Sequence, residues 1–308
     1  MKRIVLLFIS LLLVFYSYAI RPDRKYLRLP QNLGLIYKEL TVGTKDGYRI
    51  ETWFYPAQDL PEKDAGQTEK IPYKTIDKET RPTIIFCGGD AGNMSYSQMD
   101  FAMLYASCGF NVVTFDWRGF GVSSDFEMNS DYLCYTEMLA DYEAVIKAVS
   151  KQPEVDKKRI YLMGWSTGAY LSIIAAQNSK NVKGCIAQGT PSSFEDLVPH
   201  LIKINTKCKT EENLIVPDDF PRHQMPSLIA PKYKKSILLI VGNKDTVTPV
   251  WMSEKIYNTL PETINKKLSV YENAGHMGSE HPYFVDYKRW FDETTTFMLD
   301  YMVFVLIK

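Results

Sequence analysis

Neither sign of charge predominates in this chain: 36 lysines and arginines balance 36 aspartates and glutamates, so the formal net charge is zero. A surface without a basic excess has no field with which to collect a polyanion, and nucleic-acid binding is not expected. Paired cysteine spacings are missing too. Cys87, Cys108, Cys134, Cys185 and Cys208 are scattered, which excludes a zinc-ligand motif and a dense disulfide framework. Most read as small buried apolar residues; an exported chain has room for one bridge, and the odd count leaves at least one thiol free in a monomer. Nucleotide-binding signatures are incomplete, because neither the glycines from Gly88 to Gly92 nor Gly119-Phe120-Gly121 complete G-x-G-x-x-G or a Walker A pattern. Histidine is scarce: only His200, His223, His276 and His281 are present.

At the N-terminus, Lys2 and Arg3 precede an apolar run from Ile4 to Phe15, and Ser17-Tyr18-Ala19 places small residues where a signal peptidase reads them. Residues 1–19 therefore read as a signal peptide, with export of the rest. The alternative is an uncleaved membrane anchor, since the run to Ile20 approaches the roughly 20 residues that span a bilayer. Only in that case is a membrane expected as a partner. Residues 20–308 are expected to form one domain.

Leu35 to Val42 and Tyr48 to Tyr55 are rich in branched and aromatic residues, and Lys45-Asp46-Gly47 joins them as an antiparallel hairpin. Pro56 to Arg81 is polar throughout and reads as a long exposed loop. Beyond it the pattern alternates. Thr83–Phe86, Val112–Phe115, Ile160–Met163, Cys185–Ala187, Ile237–Val241 and Leu268–Tyr271 are short, nearly continuous apolar runs, the mark of strands buried on both faces. Helical periodicity lies between and after them, as in Met138, Tyr142, Val145 and Val149, and again from Tyr287 through Trp290 and Met298 to Val305. The expectation is an α/β fold with a mostly parallel sheet covered on both faces. One segment, about 191–235, has no strand run but carries an amphipathic set, Phe194, Leu197, Val198, Leu201 and Ile202. An insertion of that length between two strands reads as either a lid or a mobile excursion, with holding the segment onto the domain as the plainer role of its apolar residues.

The chemistry gathers at three strand ends. Ile160 to Met163 leads into Gly164-Trp165-Ser166-Thr167-Gly168 and a helical pattern follows, so a strand, a sharp turn and a helix present the Ser166 hydroxyl as a nucleophile. A serine needs a base to take its proton. His276 is the candidate, in Asn273-Ala274-Gly275-His276 just past the last strand run; His200 and His223 fall in the insertion, and His281 is expected to begin the last helix. Asp245, after Ile237 to Val241, is placed to orient the imidazole, with a helix cap as its plainer role. For the developing oxyanion, the backbone N–H groups of Thr167 and Asp90 are expected donors, with Gly89 as the alternative.

These motifs resemble the α/β-hydrolase superfamily, and within it the serine hydrolases that carry D-x-R-G-x-G-x-S. Asp116-Trp117-Arg118-Gly119-Phe120-Gly121-Val122-Ser123 matches that stretch. The elbow at Ser166, Gly242-Asn243-Lys244-Asp245 and Gly275-His276 match the nucleophile, acid and base. One departure is Gly88-Gly89, where relatives often carry His-Gly. The resemblance implies an α/β-hydrolase fold and acyl-enzyme chemistry on a small-molecule ester or acyl substrate, with no metal and no organic cofactor. A peptidase or amidase using the same triad is the second expectation, and a non-enzymatic binding protein of the same fold the third.

Overall fold

The structure is a computed structural model that describes residues 19–59, 70–204 and 210–299. Residues 1–18, Cys208 and the run from Tyr301 to Ile307 lie outside the described residues. Eight strands form one sheet: β1 (Lys38–Glu39), β2 (Thr52–Tyr55), β3 (Arg81–Cys87), β4 (Asn111–Phe115), β5 (Val155–Trp165), β6 (Gly184–Gln188), β7 (Ser236–Gly242) and β8 (Lys266–Tyr271). Their spatial order is β1-β2-β4-β3-β5-β6-β7-β8. Strands β3 to β8 run parallel, and β2 is antiparallel to both β1 and β4. This is the strand order of an α/β hydrolase.

The near-continuous apolar runs are explained by alternation between two covered faces. Ile85, Leu162, Cys185 and Leu239 point to one core, where they meet α2 (Glu137–Val149), α3 (Thr167–Asn178) and α5 (Val250–Tyr257). Ile84, Phe86, Tyr161, Met163, Ile186 and Ile240 point to the other, covered by α1 (Ser97–Ala106) and α6 (Tyr287–Leu299). Polar surface on either side would break a run; with both sides buried, none is tolerated.

Three local readings are refined. The expected hairpin exists, with Val42 paired to Ile50 and Lys38 to Phe54, but irregular residues divide each arm in two. The polar stretch after Pro56 is not wholly loop: Gln58–Asp59 pairs antiparallel with Ile71–Pro72, and Tyr73–Asp77 is a short helix. His281 does not begin the last helix. It caps a separate single turn, Pro282–Val285, that precedes α6. Cys87, Cys134 and Cys185 are buried free thiols, and Cys108 is an exposed one.

The insertion carries α4 (Phe194–Ile204), whose Phe194, Leu197 and Leu201 are buried in the core that also holds Tyr170 and Phe220. It sits on the face of α3 and α5, tied there by Lys255 Nζ to Asp196 (2.6 Å) and by Asn178 to Gln224 (2.7 Å).

Candidate active site

Strand β5 ends at Trp165 and α3 begins at Thr167, so Ser166 alone must turn the chain between them. It does so at φ 54°, ψ −118°, a left-handed conformation that a side chain rarely adopts. The flanking glycines are forced by space rather than by φ. A Cβ on Gly164 would lie 2.1 Å from the Gly168 carbonyl oxygen, and one on Gly168 would lie 2.3 Å from that of Gly88. Strand, helix and the loop after β3 thus touch backbone to backbone, and the Ser166 hydroxyl is left outside the contact.

The three strand-end residues come together. His276 Nε2 is 3.1 Å from Ser166 Oγ, and His276 Nδ1 is 2.8 Å from Asp245 Oδ2. Asp245 is buried and its carboxylate is saturated: Oδ1 accepts from the N–H groups of Val247 (2.9 Å) and Thr248 (2.8 Å), and Oδ2 accepts from Thr248 Oγ1 (3.0 Å). The cap-like bonds and the bond to histidine are therefore made by the same carboxylate. The loops of acid and base are knitted as well, since Lys244 N–H donates to the Ala274 carbonyl (2.8 Å) and Asn273 N–H to Asn243 Oδ1 (2.8 Å). Trp165 reaches over to fix the base, its indole N–H donating to the His276 carbonyl at 3.0 Å. Thr248 and Trp165 were not singled out from sequence; a threonine before a proline and a tryptophan inside an elbow carry no signal of these contacts.

For the oxyanion, Thr167 opens α3 and its N–H belongs to the first helical turn, where amides have no intrahelical acceptor. Gly89 packs against the nucleophile, with its Cβ position 3.6 Å from Ser166 Cβ. Asp90 follows in the same loop, and its carbonyl accepts from Arg21 N–H at 2.8 Å. At Gly88 the space a side chain would fill is occupied by the Gln98 amide, 2.7 Å from the Cβ position.

The stretch from Asp116 to Ser123 is scaffold. Asp116 Oδ1 accepts from Met94 N–H (2.7 Å) and Oδ2 from the Tyr26 hydroxyl (2.9 Å), so the loop after β4 holds the loop after β3. Burial raises the Asp116 carboxyl to about 7 against those two bonds. Arg118 is fully buried between Asp141 (2.7 Å) and Asp46 (2.6 Å), and it stacks under Tyr48. Burial pulls the guanidinium down, but bonds to the two carboxylates outweigh it and hold the charge. Of the remaining histidines, His200 meets the Thr246 carbonyl at 2.7 Å, and His281 lies against Gln188 on the far side of Trp165.

Sheet order, elbow and the Ser166–His276–Asp245 arrangement define a hydrolase of the α/β-hydrolase superfamily. Within it, the chain belongs to the prolyl oligopeptidase family, whose profile matches residues 94–303. It is 26% identical over 235 residues to the uncharacterised protein YfhR of Escherichia coli K12, covering 76% of this chain and 71% of that protein. Among solved structures it resembles the esterase Pf2001 of Pyrococcus furiosus, at TM-score 0.69 and 20% identity over 92% of this chain and all of that one. A puromycin-hydrolysing peptidase of Mycobacterium tuberculosis is similar at TM-score 0.68 and 17% identity, over 88% of this chain but 40% of the peptidase.

Proposed function

We propose that this chain is a serine hydrolase that cleaves a carboxylic ester through an acyl-enzyme. The observation that carries the reading is the continuous bond from Ser166 Oγ through the His276 ring to the buried Asp245 carboxylate, with the serine presented on a strained turn. His276 Nε2 takes the Ser166 proton as Oγ attacks the carbonyl carbon, and Asp245 stabilises the imidazolium that forms. The oxyanion lies against the N–H groups of Thr167 and of Asp90, whose loop is clamped from both sides. His276 then protonates the leaving oxygen, the C–O bond breaks, and the acylated Ser166 remains. Water attacks the acyl carbon after losing its proton to the same nitrogen, which releases the acid and restores the serine.

The insertion fits the acyl side of this scheme. It follows Gly189, whose Cβ position is 3.1 Å from His276 Cε1 and 3.4 Å from Asp245 Oδ2, so the chain enters the insertion beside the triad, which supports the lid reading. The family's name favours a peptidase as the second reading. The esterase among the structural neighbours matches this chain along its whole length, whereas the peptidase has more than half its length beyond the match, and we prefer the ester. A fluorophosphonate probe should label Ser166, and Ser166→Ala should lose both label and turnover. Parallel ester and peptide libraries then decide the substrate class: efficient peptide cleavage with negligible ester turnover overturns the ester reading.

Export also belongs to the proposal. No helix among the described residues is long and apolar enough to cross a membrane. Ala19 and Ile20 are buried, and both N–H groups donate to the Ser130 carbonyl, at 2.7 and 3.1 Å. Cleavage after Ala19 would remove the Ala19 bond and leave Ile20 to make its own to Ser130. The mature protein from its host should begin at Ile20; peptides containing Lys2 in that protein would favour the anchor.

A further inference from the structure

Behind Trp165, on the face of the sheet covered by α1 and α6, lies a cavity of about 220 Å³ that the catalytic scheme leaves unused. Its walls are apolar, with Phe86, Phe101, Met163, Ile186 and the indoles of Trp165 and Trp290, and among the described residues no charged side chain lines it. Two of its polar members are occupied, since Gln188 bridges the Trp290 indole N–H (2.9 Å) and the His281 ring. Gln98 is different. Of the side chains lining the cavity, it alone has a buried polar atom without a partner, its amide oxygen. At the rim stand two exposed apolar side chains, Met277 and Phe284, 58% and 62% accessible.

The cavity adjoins the reacting centre, since Gly164 and Trp165, just before Ser166, and Met277, just after His276, line it. A wider cleft of about 450 Å³ shares Gly88, Ser97, Gln98 and Trp165 with it and extends to Gly89, which packs on Ser166. The smaller cavity is also lined by Met277 and Gly278, the residues that follow His276. The side matters. Because His276 must hand its proton to the leaving atom, the leaving group has to lie within reach of His276 Nε2, and Met277, the next residue, lines this cavity.

We propose that this cavity is the leaving-group subsite, taking an uncharged alcohol the size of a single ring, with one hydrogen-bond donor for the Gln98 amide oxygen. The inference rests on the ester-hydrolase reading. Size supports one ring, because an apolar cavity of roughly 150 Å³ already admits benzene. A turn of the Gln98 amide would bring its unpaired oxygen to such a donor, and a site built to bond a substrate hydroxyl rejects the analogue that lacks it.

The test holds the acyl group at acetyl and varies the alcohol, then holds the alcohol at methyl and varies the acyl chain from acetate to hexanoate. Ser97 is an exposed lining residue at the start of α1, so Ser97→Phe plugs the cavity with little risk to folding. In that variant the benzyl-over-methyl preference in kcat/KM should fall about 10-fold or more while the acyl ranking stays. Gln98→Leu should remove a preference for 2-hydroxyethyl over propyl acetate. Binding is read separately in Ser166→Ala, where benzyl alcohol should give a saturable change in tryptophan fluorescence from Trp165 and Trp290 that Ser97→Phe abolishes. Alcohol and acyl series that shift together, or no saturable binding, would overturn the subsite. Saturable binding with no hydrolysis of any ester and no fluorophosphonate label would instead overturn the hydrolase reading, and the leaving-group role with it.

Discussion

The backbone N–H of Arg21 donates to the carbonyl of Asp90 at 2.8 Å, and two residues later Asp23 N–H donates to the carbonyl of Gly92 at 2.9 Å. Arg21–Pro22 thus pairs in parallel with Ala91–Gly92, so the first described residues form a strap along the loop expected to hold the oxyanion. Side chains extend the clamp. Asn93 Nδ2 donates to the carbonyls of Asp23 (3.0 Å) and Lys25 (2.8 Å), and the Ser95 hydroxyl accepts from Leu27 N–H (2.9 Å). On its other side the strap meets the loop after β4, where Gly121 N–H donates to the Asp23 carbonyl and the Tyr26 hydroxyl to Asp116. An isolated glycine-rich loop has no means of holding an amide in one direction; this one is held by its neighbours.

Asn93→Ala therefore acts on catalysis without touching substrate. It removes both bonds to the strap and leaves the triad as it was. A displaced oxyanion donor reduces kcat by up to about 100-fold, with KM nearly unchanged, and the affinity of a boronic acid that mimics the tetrahedral intermediate should fall in parallel. A loss of melting temperature with unchanged kcat in the surviving folded fraction would confine Asn93 to a structural role.

Asp245 Oδ2 and Thr248 Oγ1 both meet His276 Nδ1, at 2.8 and 3.2 Å. Asp245→Asn keeps the shape but offers the wrong hydrogen-bonding partner to Nδ1, and a drop in kcat on the order of 10⁴-fold is expected. Thr248→Val removes one hydroxyl bond from a carboxylate that keeps two backbone donors, so its effect should be about 10-fold or less. Steady-state kinetics on one ester, with fluorophosphonate labelling rates alongside, measures both. Equal losses in the two variants would mean that the hydroxyl, not the carboxylate, sets the imidazole.

Stability should respond to His281 in a defined pH window. Burial, with the neighbouring His276 adding to it, pushes His281 down to about 4 from an ordinary value of 6.5. Between those values the unfolded chain binds a proton that the folded chain refuses. The neutral ring's contribution is complete above pH 6.5 and is lost as pH falls toward 4, by about 3 kcal/mol. Asp116 runs the other way: its folded value is raised to about 7 from 3.8, so its contribution is complete at the acid end and lost as pH rises through 7. A single denaturation series mixes the two. The difference between wild type and His281→Gln isolates the histidine, and that difference should shrink by about 3 kcal/mol between pH 7 and pH 4. A difference independent of pH would show that the ring protonates as readily in the fold as outside it.

Ser166, Asp245 and His276 were legible because each stands just past an apolar run, where glycine and small polar residues end a strand. The run itself was legible because both faces of the sheet are covered. The strap was not. Arg21 to Arg28 has no hydrophobic period, and its decisive bonds are made by backbone groups that any residue supplies. Gln98 was equally silent, since only the fold brings α1 against Gly88, and the absence of a side chain at position 88 is what makes room for it. The cavity behind Trp165 arises from side chains on three strands, two helices, the capped turn Pro282–Val285 and the loop after His276, a relation that no local spacing encodes.

The insertion is open to a two-variant test, because its apolar residues serve different surroundings. Leu201 is 4% accessible and belongs to the core around Tyr170 and Phe194, while Leu228 is 55% accessible on the single turn Pro226–Ile229. That turn is tied to the root of the insertion by Ser227 N–H to the Ser192 carbonyl at 2.9 Å. Leu201→Ala deletes a buried side chain, and a stability loss of about 2–5 kcal/mol is expected, with the ranking of p-nitrophenyl esters by acyl length unmoved. Leu228→Ala should leave stability within about 0.5 kcal/mol. If 191–235 lids the acyl side, it should also lower the preference for longer acyl chains, since each methylene in an apolar site is worth roughly 1–3 kcal/mol of discrimination. Unchanged ranking in both variants would reduce the insertion to packing, whereas re-ranking by Leu201→Ala at full stability would place the acyl pocket inside what the fold presents as core.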